Sequence, residues 1–187
     1  NRLCTRKKGF LVFFYCEVCD KRKAASIFLR ACERRKDMDN LIYWLKNPEV
    51  TRFLNEDAGV ISYLSRLADT VPEPMLTFHL NTMGRFFMIC LEDGTSVGFV
   101  KLAKTADADT YEIVYAIGED TLWGFGYGEA AIRQTLHLAF EELGIQKIIA
   151  KIDPRNERSR RLAFTCGFRE EQARGKYMQY AASIAAT

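Results

Sequence analysis

The sequence predicts one α/β (α+β) domain built on a mixed β-sheet with helices on both faces. Strands linked by a hairpin come before a strand–helix–strand unit, and this order places antiparallel and parallel neighbours in one sheet. The 187 residues are 48% hydrophobic and 27% charged, which is typical of a globular chain that can bury a core. No linker rich in Pro, Gly or Ser divides the chain.

The first half of the chain is predicted to hold one strand and three helical pieces. The apolar segment 26–33, SIFLRACE, predicts the strand. Asp37 is placed to cap a helix that ends at Pro48, because Asp favours the N-cap and Pro cannot continue a helix. Two further helical pieces follow, and we expect Pro72 and Pro74 to close this section.

The second half is predicted to alternate strands with helices. Alternating apolar residues and turn signals predict, in order, a hairpin at 85–104, a strand at 109–120, a helix that Gly144 stops, a strand at 145–152, a helix at 157–166 capped by Asn156, and a strand at 176–184.

Basic residues are concentrated at the start of the chain. Residues 1–36 carry eleven Lys or Arg against three acids, whereas the rest carries sixteen against twenty-one. Such an arm can bind nucleic acid or an acidic partner, but its aromatic residues are not interleaved with the basic ones as base stacking requires. We therefore predict a solvated arm of unknown role at 1–23, a domain at 24–187, and no nucleic-acid partner.

The N-terminal arm also raises the questions of a membrane and a metal. Its longest apolar run, 9–18, is about half the length that spans a bilayer, so we expect a cytoplasmic protein with no membrane partner. Cys16 and Cys19 have ligand-like spacing, but only Cys4 and Cys32 lie near them. No metal site is expected, and zinc in the arm is kept as an alternative.

Three glycines at 124, 126 and 128 lie between a predicted strand and a predicted helix N-terminus. Unpaired N–H groups and the positive end of the helix dipole favour phosphate there, and glycine brings the backbone close to it. A tight turn that packs Trp123 and Phe125 onto the helix is the alternative. The chain has no G-x-x-x-x-G-K-[ST], and the preceding strand follows a hairpin, which argues against Walker and dinucleotide sites.

Three segments resemble motifs of the GNAT superfamily of N-acetyltransferases. WGFGYGEA at 123–130 resembles the acyl-CoA loop R/Q-x-x-G-x-G/A, with Trp in the leading position as in the Rim-type branch of ribosomal-protein-alanine and spermidine acetyltransferases. NERSRRLAFTCGF at 156–168 is similar to the family's N-x-x-S motif, and YEIVYAI at 111–117 to its central strand. The resemblance covers residues 26–185 and implies a mostly antiparallel sheet with a splayed central strand pair.

The resemblance also implies acetyl-CoA as cosubstrate and a set of residues that bind it. Pantetheine would pair with the backbone from Tyr115 through Ala116 to Ile117, and the Ile117 amide would polarise the thioester carbonyl. Asn156 would help hold the cosubstrate, and Ser159 would face its thiol. The diphosphate would meet the N–H groups of Phe125, Gly126, Tyr127 and Gly128, and Trp123 and Gly124 complete the loop that binds the cosubstrate.

Direct attack by an amine on the thioester requires a base. Neutralising a lysine-like amine at pH 7 costs about 4–5 kcal/mol, whereas an α-amine costs only about 1 kcal/mol. Glu112 is the best candidate, directly or through a water, because it alternates away from its apolar neighbours and matches an acidic position of Rim-type enzymes. The alternative is an ordinary strand carboxylate in a surface ion pair.

The group that protonates the leaving thiolate is less clearly marked. The family's tyrosine, seven residues after the motif asparagine, is Ala163 in this chain. Ser159 is the substitute that the resemblance suggests, with Tyr115 and Tyr127 as further candidates, and a thiolate of pKa near 8.5 can leave unaided. The equal alternative is that Ser159 is an ordinary helix residue that forms hydrogen bonds only with the backbone.

The resemblance predicts transfer of an acetyl group to a primary amine, either a protein N-terminal α-amine or a small amine such as a polyamine. Two alternatives belong to other classes. Because Ala163 removes the usual acid, the domain could bind acetyl-CoA as a regulatory module with little catalysis. The basic arm could instead bind zinc or nucleic acid on a GNAT scaffold. A homodimer is compatible with the sequence.

Overall fold

The computed structural model of the chain describes residues 25–56, 59–82 and 84–184. Within these residues the fold is a seven-stranded sheet in the order β1-β2-β3-β4-β5-β7-β6 with six α-helices. The elements are β1 Ile27–Arg30, α1 Arg35–Lys46, α2 Pro48–Thr51, α3 Val60–Thr70, α4 Glu73–Leu80, β2 Gly84–Leu91, β3 Ser96–Lys104, β4 Thr110–Ile117, a 3-10 turn Asp120–Leu122, α5 Tyr127–His137, a π-helical turn Leu138–Glu142, β5 Lys147–Ile152, α6 Glu157–Thr165, β6 Arg169–Arg174 and β7 Tyr177–Ser183.

The sheet is mixed and mostly antiparallel, as predicted, and β4 with β5 is the parallel pair. These two strands are paired only between Thr110–Glu112 and 147–149. Yet β4 continues to Ile117 and β5 to Ile152. The two central strands therefore diverge towards their carboxyl ends, which confirms the predicted splay and leaves a gap in the sheet.

Helices cover both faces of the sheet, as the sequence predicts. Successive strand residues point to opposite faces, so the strands β1 to β4 contribute to two cores. One core lies against α5 and α6 and includes Val100, Ile113, Ile132, Ile148 and Ala163. The other lies against α1, α3 and α4 and includes Leu41, Trp44, Leu64, Met88 and Phe99. Among the described residues, no helix is long and apolar enough to cross a membrane.

Asp37 is not the N-cap residue of α1, so that prediction is wrong. Arg34 is the N-cap, and Asp37 lies in the first turn, where its carboxylate accepts from the Arg34 amide. Asp37 is only 2% exposed and is paired with Arg30 of β1 at 2.8 and 2.9 Å, while the Ser96 hydroxyl donates to it at 2.9 Å. A partly buried arginine therefore decides where this carboxylate lies, and a capping preference cannot foresee that contact.

Two elements of the fold were not predicted. Pro72 and Pro74 begin α4 rather than closing the helical section, because a proline in a first helical turn lacks only an N–H that would have no partner there. The edge strand β6 has the sequence REEQAR and every residue in it is exposed. With no apolar alternation, β6 forms because β7 offers it a hydrogen-bonding partner.

Candidate active site

The loop between β4 and α5 has the backbone that the glycine pattern predicted. Gly124 has φ +88° and Gly126, the N-cap of α5, has φ +86°, a region that residues with a Cβ rarely adopt. A Cβ at Gly124 would meet no atom within 4 Å, and one at Gly126 would meet only the Ala25 Cβ at 3.7 Å. The loop therefore presents bare backbone to open space at the N-terminus of an 11-residue helix.

Gly128 is required for a different reason. It lies in the first turn of α5, and its φ is not positive. A Cβ there would lie 3.3 Å from Leu162 and 3.4 Å from the Tyr115 ring. Gly128 thus allows α5 to approach α6 and β4 closely, a packing role that the motif did not reveal.

The two aromatic residues of this loop, Trp123 and Phe125, differ in their surroundings. The Trp123 indole N–H donates to the Ile117 carbonyl at 2.9 Å, so the ring is fixed to the end of β4. The Arg158 guanidinium lies 4.1 Å from the centre of that ring. Phe125 is 66% exposed, and Tyr127 lies beside it with a ring-centre distance of 6.4 Å.

The backbone of β4 presents alternate residues to the gap. The Gly118 amide donates to Val97 of β3 at 2.8 Å, and bonded and non-bonded pairs alternate along an antiparallel ladder. The backbone groups of Ala116 therefore point to β3, and those of Tyr115 and Ile117 point towards β5, from which β4 has diverged. Of the three residues predicted to pair with pantetheine, only these two direct backbone groups into the gap.

A small cleft, with a cavity volume of about 60 Å³, lies in the gap between β4 and β5. Because the sheet is open there, residues from both faces line the cleft. The segment after α2 contributes Phe53, Leu54 and Asn55, β4 contributes Tyr115, β5 contributes Lys151, and α6 contributes Ser159 and Ala163.

Glu112 is a buried carboxylate at the edge of this cleft. It is 9% exposed, and its two oxygens accept from Asn55 Nδ2 at 2.8 Å and from Lys151 Nζ at 2.6 Å. Both partners line the cleft. Glu112 is thus ion-paired, but not on the surface, and each oxygen keeps a second lone pair that can accept a proton.

Ser159 faces the cleft next to Tyr115. Both residues line the cleft. Burial raises the pKa of Tyr115 above its usual value, and the nearby Ser159 hydroxyl opposes that rise. The Ser159 amide donates to Asn156 Oδ1 at 3.1 Å, so Asn156 is the N-cap of α6 as predicted, and this oxygen already has a partner in the helix.

The cysteines near the site are not poised as nucleophiles. Cys166 ends α6 and is buried, and burial raises the pKa of its thiol to about 11. Burial likewise raises the pKa of Cys32 to about 12. Within the described ranges, no group of three His, Cys, Asp or Glu side chains could hold a metal. The predicted arm at 1–23, with Cys4, Cys16 and Cys19, lies outside these ranges.

Three residues that the fold brings to the site were not predicted from the sequence. Asn55 lies in a connection without a motif, Lys151 is one of several lysines, and Arg158 is one of four arginines at 155–161. Their partners are 35 to 57 residues away in the chain, as with Asn55 and Glu112 at 57. Only the outward alternation of Lys151 in a buried strand offered a signal.

A family model and a curated protein that are similar to this chain both describe acetyltransferases. The family model described as "Acetyltransferase (GNAT) domain" matches residues 26–169. An uncharacterised N-acetyltransferase p20 of Bacillus licheniformis is 25% identical over 138 residues, which is 73% of this chain and 75% of that protein.

Solved structures share the fold at lower identity. A domain from Methanocaldococcus jannaschii has a TM-score of 0.66 at 23% identity, covering 85% of this chain and 99% of that one. Spermidine N-acetyltransferase from Vibrio cholerae, in complex with CoA and spermine, has a TM-score of 0.67 at 20% identity, covering 84% and 95%. The aminoglycoside acetyltransferase AAC(6')-Ib, in complex with coenzyme A and kanamycin, has a TM-score of 0.67 at 16% identity, with the same coverage.

The family match spans most of the chain and includes both motifs, the glycine loop and the start of α6. The Rim-type branch stays a prediction. The chain belongs to the GNAT acetyltransferases and is an acyltransferase with acetyl-CoA as cosubstrate.

Proposed function

We propose that this enzyme transfers the acetyl group of acetyl-CoA to a primary amine by direct attack, the amine being a protein N-terminal α-amine or a small molecule. One observation carries the proposal. The gap between β4 and β5 is bordered by outward-pointing backbone of β4 and by the buried carboxylate of Glu112. A donor and an acceptor can therefore meet within a single opening of the sheet.

The donor side fits the thioester cosubstrate. The open backbone at Gly124 and Gly126, followed by the N-terminus of α5, suits a diphosphate. The backbone groups of Tyr115 point into the gap and can bond the pantetheine amides. The Ile117 carbonyl is occupied by the Trp123 indole, and the Ile117 N–H is our candidate to stabilise the oxyanion. When bound, acetyl-CoA supplies the activated acyl group, and the chain supplies orientation and charge.

Glu112 is our proposed general base. Asn55 and Lys151 hold its carboxylate in one orientation, which favours proton transfer along a fixed direction. The amine proton passes to Glu112 directly or through one water, and the nitrogen lone pair then forms the new bond to carbon. A base matters most for a lysine-like amine, whose neutralisation costs about 4–5 kcal/mol at pH 7.

Ser159 is our proposed acid for the leaving thiolate. Ser159 lines the cleft, and the neighbouring Tyr115 offers a second hydroxyl group. The cleft wall at the family's usual tyrosine position is the buried methyl group of Ala163. Since a thiol has a pKa of about 8.5, the thiolate can also leave partly unaided, so we expect this acid to matter less than the base.

The acceptor has room on the face of the sheet opposite α5. A second, polar cleft of about 480 Å³ adjoins the first, and Asn55 and Lys151 line both. Its other charged residues are Lys147, Arg174 and Asp107. Lysine and arginine residues outnumber the one acidic residue of this lining, and Lys147 is paired with Glu171 at 2.7 Å. The lining therefore has no surplus of negative charge to attract a polyamine. An α-amine or a small monoamine suits it better.

The experiment that tests the proposal measures thiol release from acetyl-CoA by the purified protein. N-terminal peptides, amino acids, amino sugars and polyamines are each added as acceptor. We expect CoA thiol only when an acceptor is present, and more with α-amines than with polyamines. Binding of acetyl-CoA with no thiol release for any amine would instead favour a regulatory module, the alternative that Ala163 raises.

A further inference from the structure

We propose that Arg158, on α6, contributes the positive charge that binds the diphosphate of the acyl donor. The inference rests on the proposed function, because it assumes that the donor diphosphate lies at the glycine loop. The loop itself begins with Trp123, where the motif carries Arg or Gln. No side-chain cation therefore comes from that position.

Arg158 is held beside the loop by a cation–π contact with Trp123. Its guanidinium carbon lies 4.1 Å from the centre of the Trp123 ring. The ring is itself fixed, since its N–H donates to the Ile117 carbonyl at 2.9 Å. An exposed guanidinium is thus positioned next to the residue that precedes Gly124.

The neighbouring arginines are paired with polar side chains, whereas Arg158 has no such pairing among the described residues. Arg155 is paired with Asp153, Arg161 with Glu157, and Arg160 donates to the Tyr180 hydroxyl. In the part of the chain that the structure describes, no carboxylate lies within ion-pair distance of Arg158.

No hydrogen-bond acceptor of the described residues occupies the donors of Arg158, and their forked arrangement matches phosphate oxygens. Arg158 thus places a cation against Trp123, the residue that precedes the open backbone of Gly124 and Gly126 and the N-terminus of α5. A diphosphate carries two negative charges, which one helix N-terminus alone compensates only in part.

The test measures dissociation constants of the full chain for CoA, 3'-dephospho-CoA and pantetheine. We expect Arg158→Ala to weaken binding of CoA and of 3'-dephospho-CoA about tenfold each, as for the loss of one charge-assisted hydrogen bond. Pantetheine, which lacks the diphosphate, should bind unchanged. Arg161→Ala is the matched control: it removes an exposed arginine of the same helix that is paired with Glu157, and none of the three affinities should change.

Three results would overturn the inference. An equal loss for all three ligands would mean that Arg158 only supports the structure. A loss confined to CoA would assign Arg158 to the ribose 3'-phosphate, and no loss at all would remove it from the site. Failure of the unmodified protein to bind CoA would be a distinct result, since it would overturn the proposed function itself.

Discussion

The donor side of the cleft is formed by backbone groups, whereas the acceptor side is formed by side chains. The donor side uses backbone groups from a continuous stretch, β4 and the loop that leads into α5. The acceptor side uses the side chain of Glu112, fixed by Asn55, which lies 57 residues earlier, and by Lys151, 39 residues later. Binding through backbone is encoded locally, whereas a constellation of side chains exists only once the sheet and helices have assembled.

The two sides also differ in burial. Nothing lies within 4 Å of a Cβ built on Gly124, while Glu112 is 9% exposed and has a partner on each oxygen. Changes on the donor side should therefore act through backbone conformation and cosubstrate affinity. Changes on the acceptor side should act through proton transfer, with cosubstrate affinity preserved.

The largest expected effect comes from Glu112→Gln on the acceptor side. Loss of the base should lower turnover about a hundredfold, and more for lysine-like amines than for α-amines. Steady-state kinetics with one acceptor of each kind measures this, and the Kd for acetyl-CoA should stay constant. Glu92→Gln, in the turn between β2 and β3, is the control and should leave turnover unchanged. Equal losses for both amines would remove Glu112 from the role of base.

The donor side is tested by Gly126→Val. A branched residue at φ +86° strains the loop by about 1–3 kcal/mol, and its side chain would occupy the open surface in front of α5. We expect acetyl-CoA to bind more than tenfold more weakly in calorimetry. Gly94→Val introduces the same strain at φ +85° in the distant hairpin turn, so it should cost similar stability without any loss of affinity. Unchanged affinity in Gly126→Val would contradict the assignment of the loop.

The sequence predicts the donor side well because its determinants are short-range. A strand, positive-φ glycines and a helix start lie within about twenty residues, and hydrophobic periodicity marks the flanking elements. The splay of β4 and β5 came from the resemblance alone, since pairing between strands 30 residues apart leaves no local pattern. The opposite orientation of Ala116 and Ile117 needed the register with β3.

The acceptor side was predictable only in part. Glu112 stood out because it is a carboxylate in an apolar strand. Its partners did not stand out, because Asn55 and Lys151 are ordinary polar residues until the fold brings them to 2.8 and 2.6 Å from it. The wrong N-cap at Asp37 and the missed edge strand β6 have a different cause, since their partners are near in sequence: Arg30 lies seven residues before Asp37, and β7 follows β6 after a two-residue turn. Neither contact leaves a capping or alternation signal.

A smaller effect is expected from Ser159→Ala, which lies between the two sides. Turnover should fall severalfold to about tenfold, because the thiolate can leave partly unaided. If Ser159 and Tyr115 act as one hydrogen-bonded pair, Tyr115→Phe should add little to the Ser159→Ala loss. Kinetics of both single variants and the double variant measure this. Fully additive losses would show that the two hydroxyl groups act independently.

The smallest effect on activity is expected at Asp37, which ties α1 to β1 and β3. Burial alone would raise the pKa of Asp37, but hydrogen bonds from Arg30, Ser96 and the Arg34 amide lower it overall. A lowered folded pKa stabilises the fold above the unfolded value near 3.8, and this contribution is lost as pH falls through the folded value.

Chemical denaturation across the range from pH 6 to about pH 2 tests this anchor. The wild type should lose stability below about pH 4, and Asp37→Asn should lack that part of the slope. At neutral pH the variant should be about 1–3 kcal/mol less stable, since Arg30 loses its carboxylate partner. An unchanged acid slope in Asp37→Asn would assign the acid sensitivity to other groups.

The most direct test of the central claim is an experimental structure of the chain with CoA bound. The account predicts pantetheine in the gap between β4 and β5, bonded to the backbone of Tyr115 and Ile117, with the diphosphate at 124–128 and the thiol on the side of Glu112 and Ser159. CoA bound away from this gap, or a thiol that points away from Glu112, would contradict it.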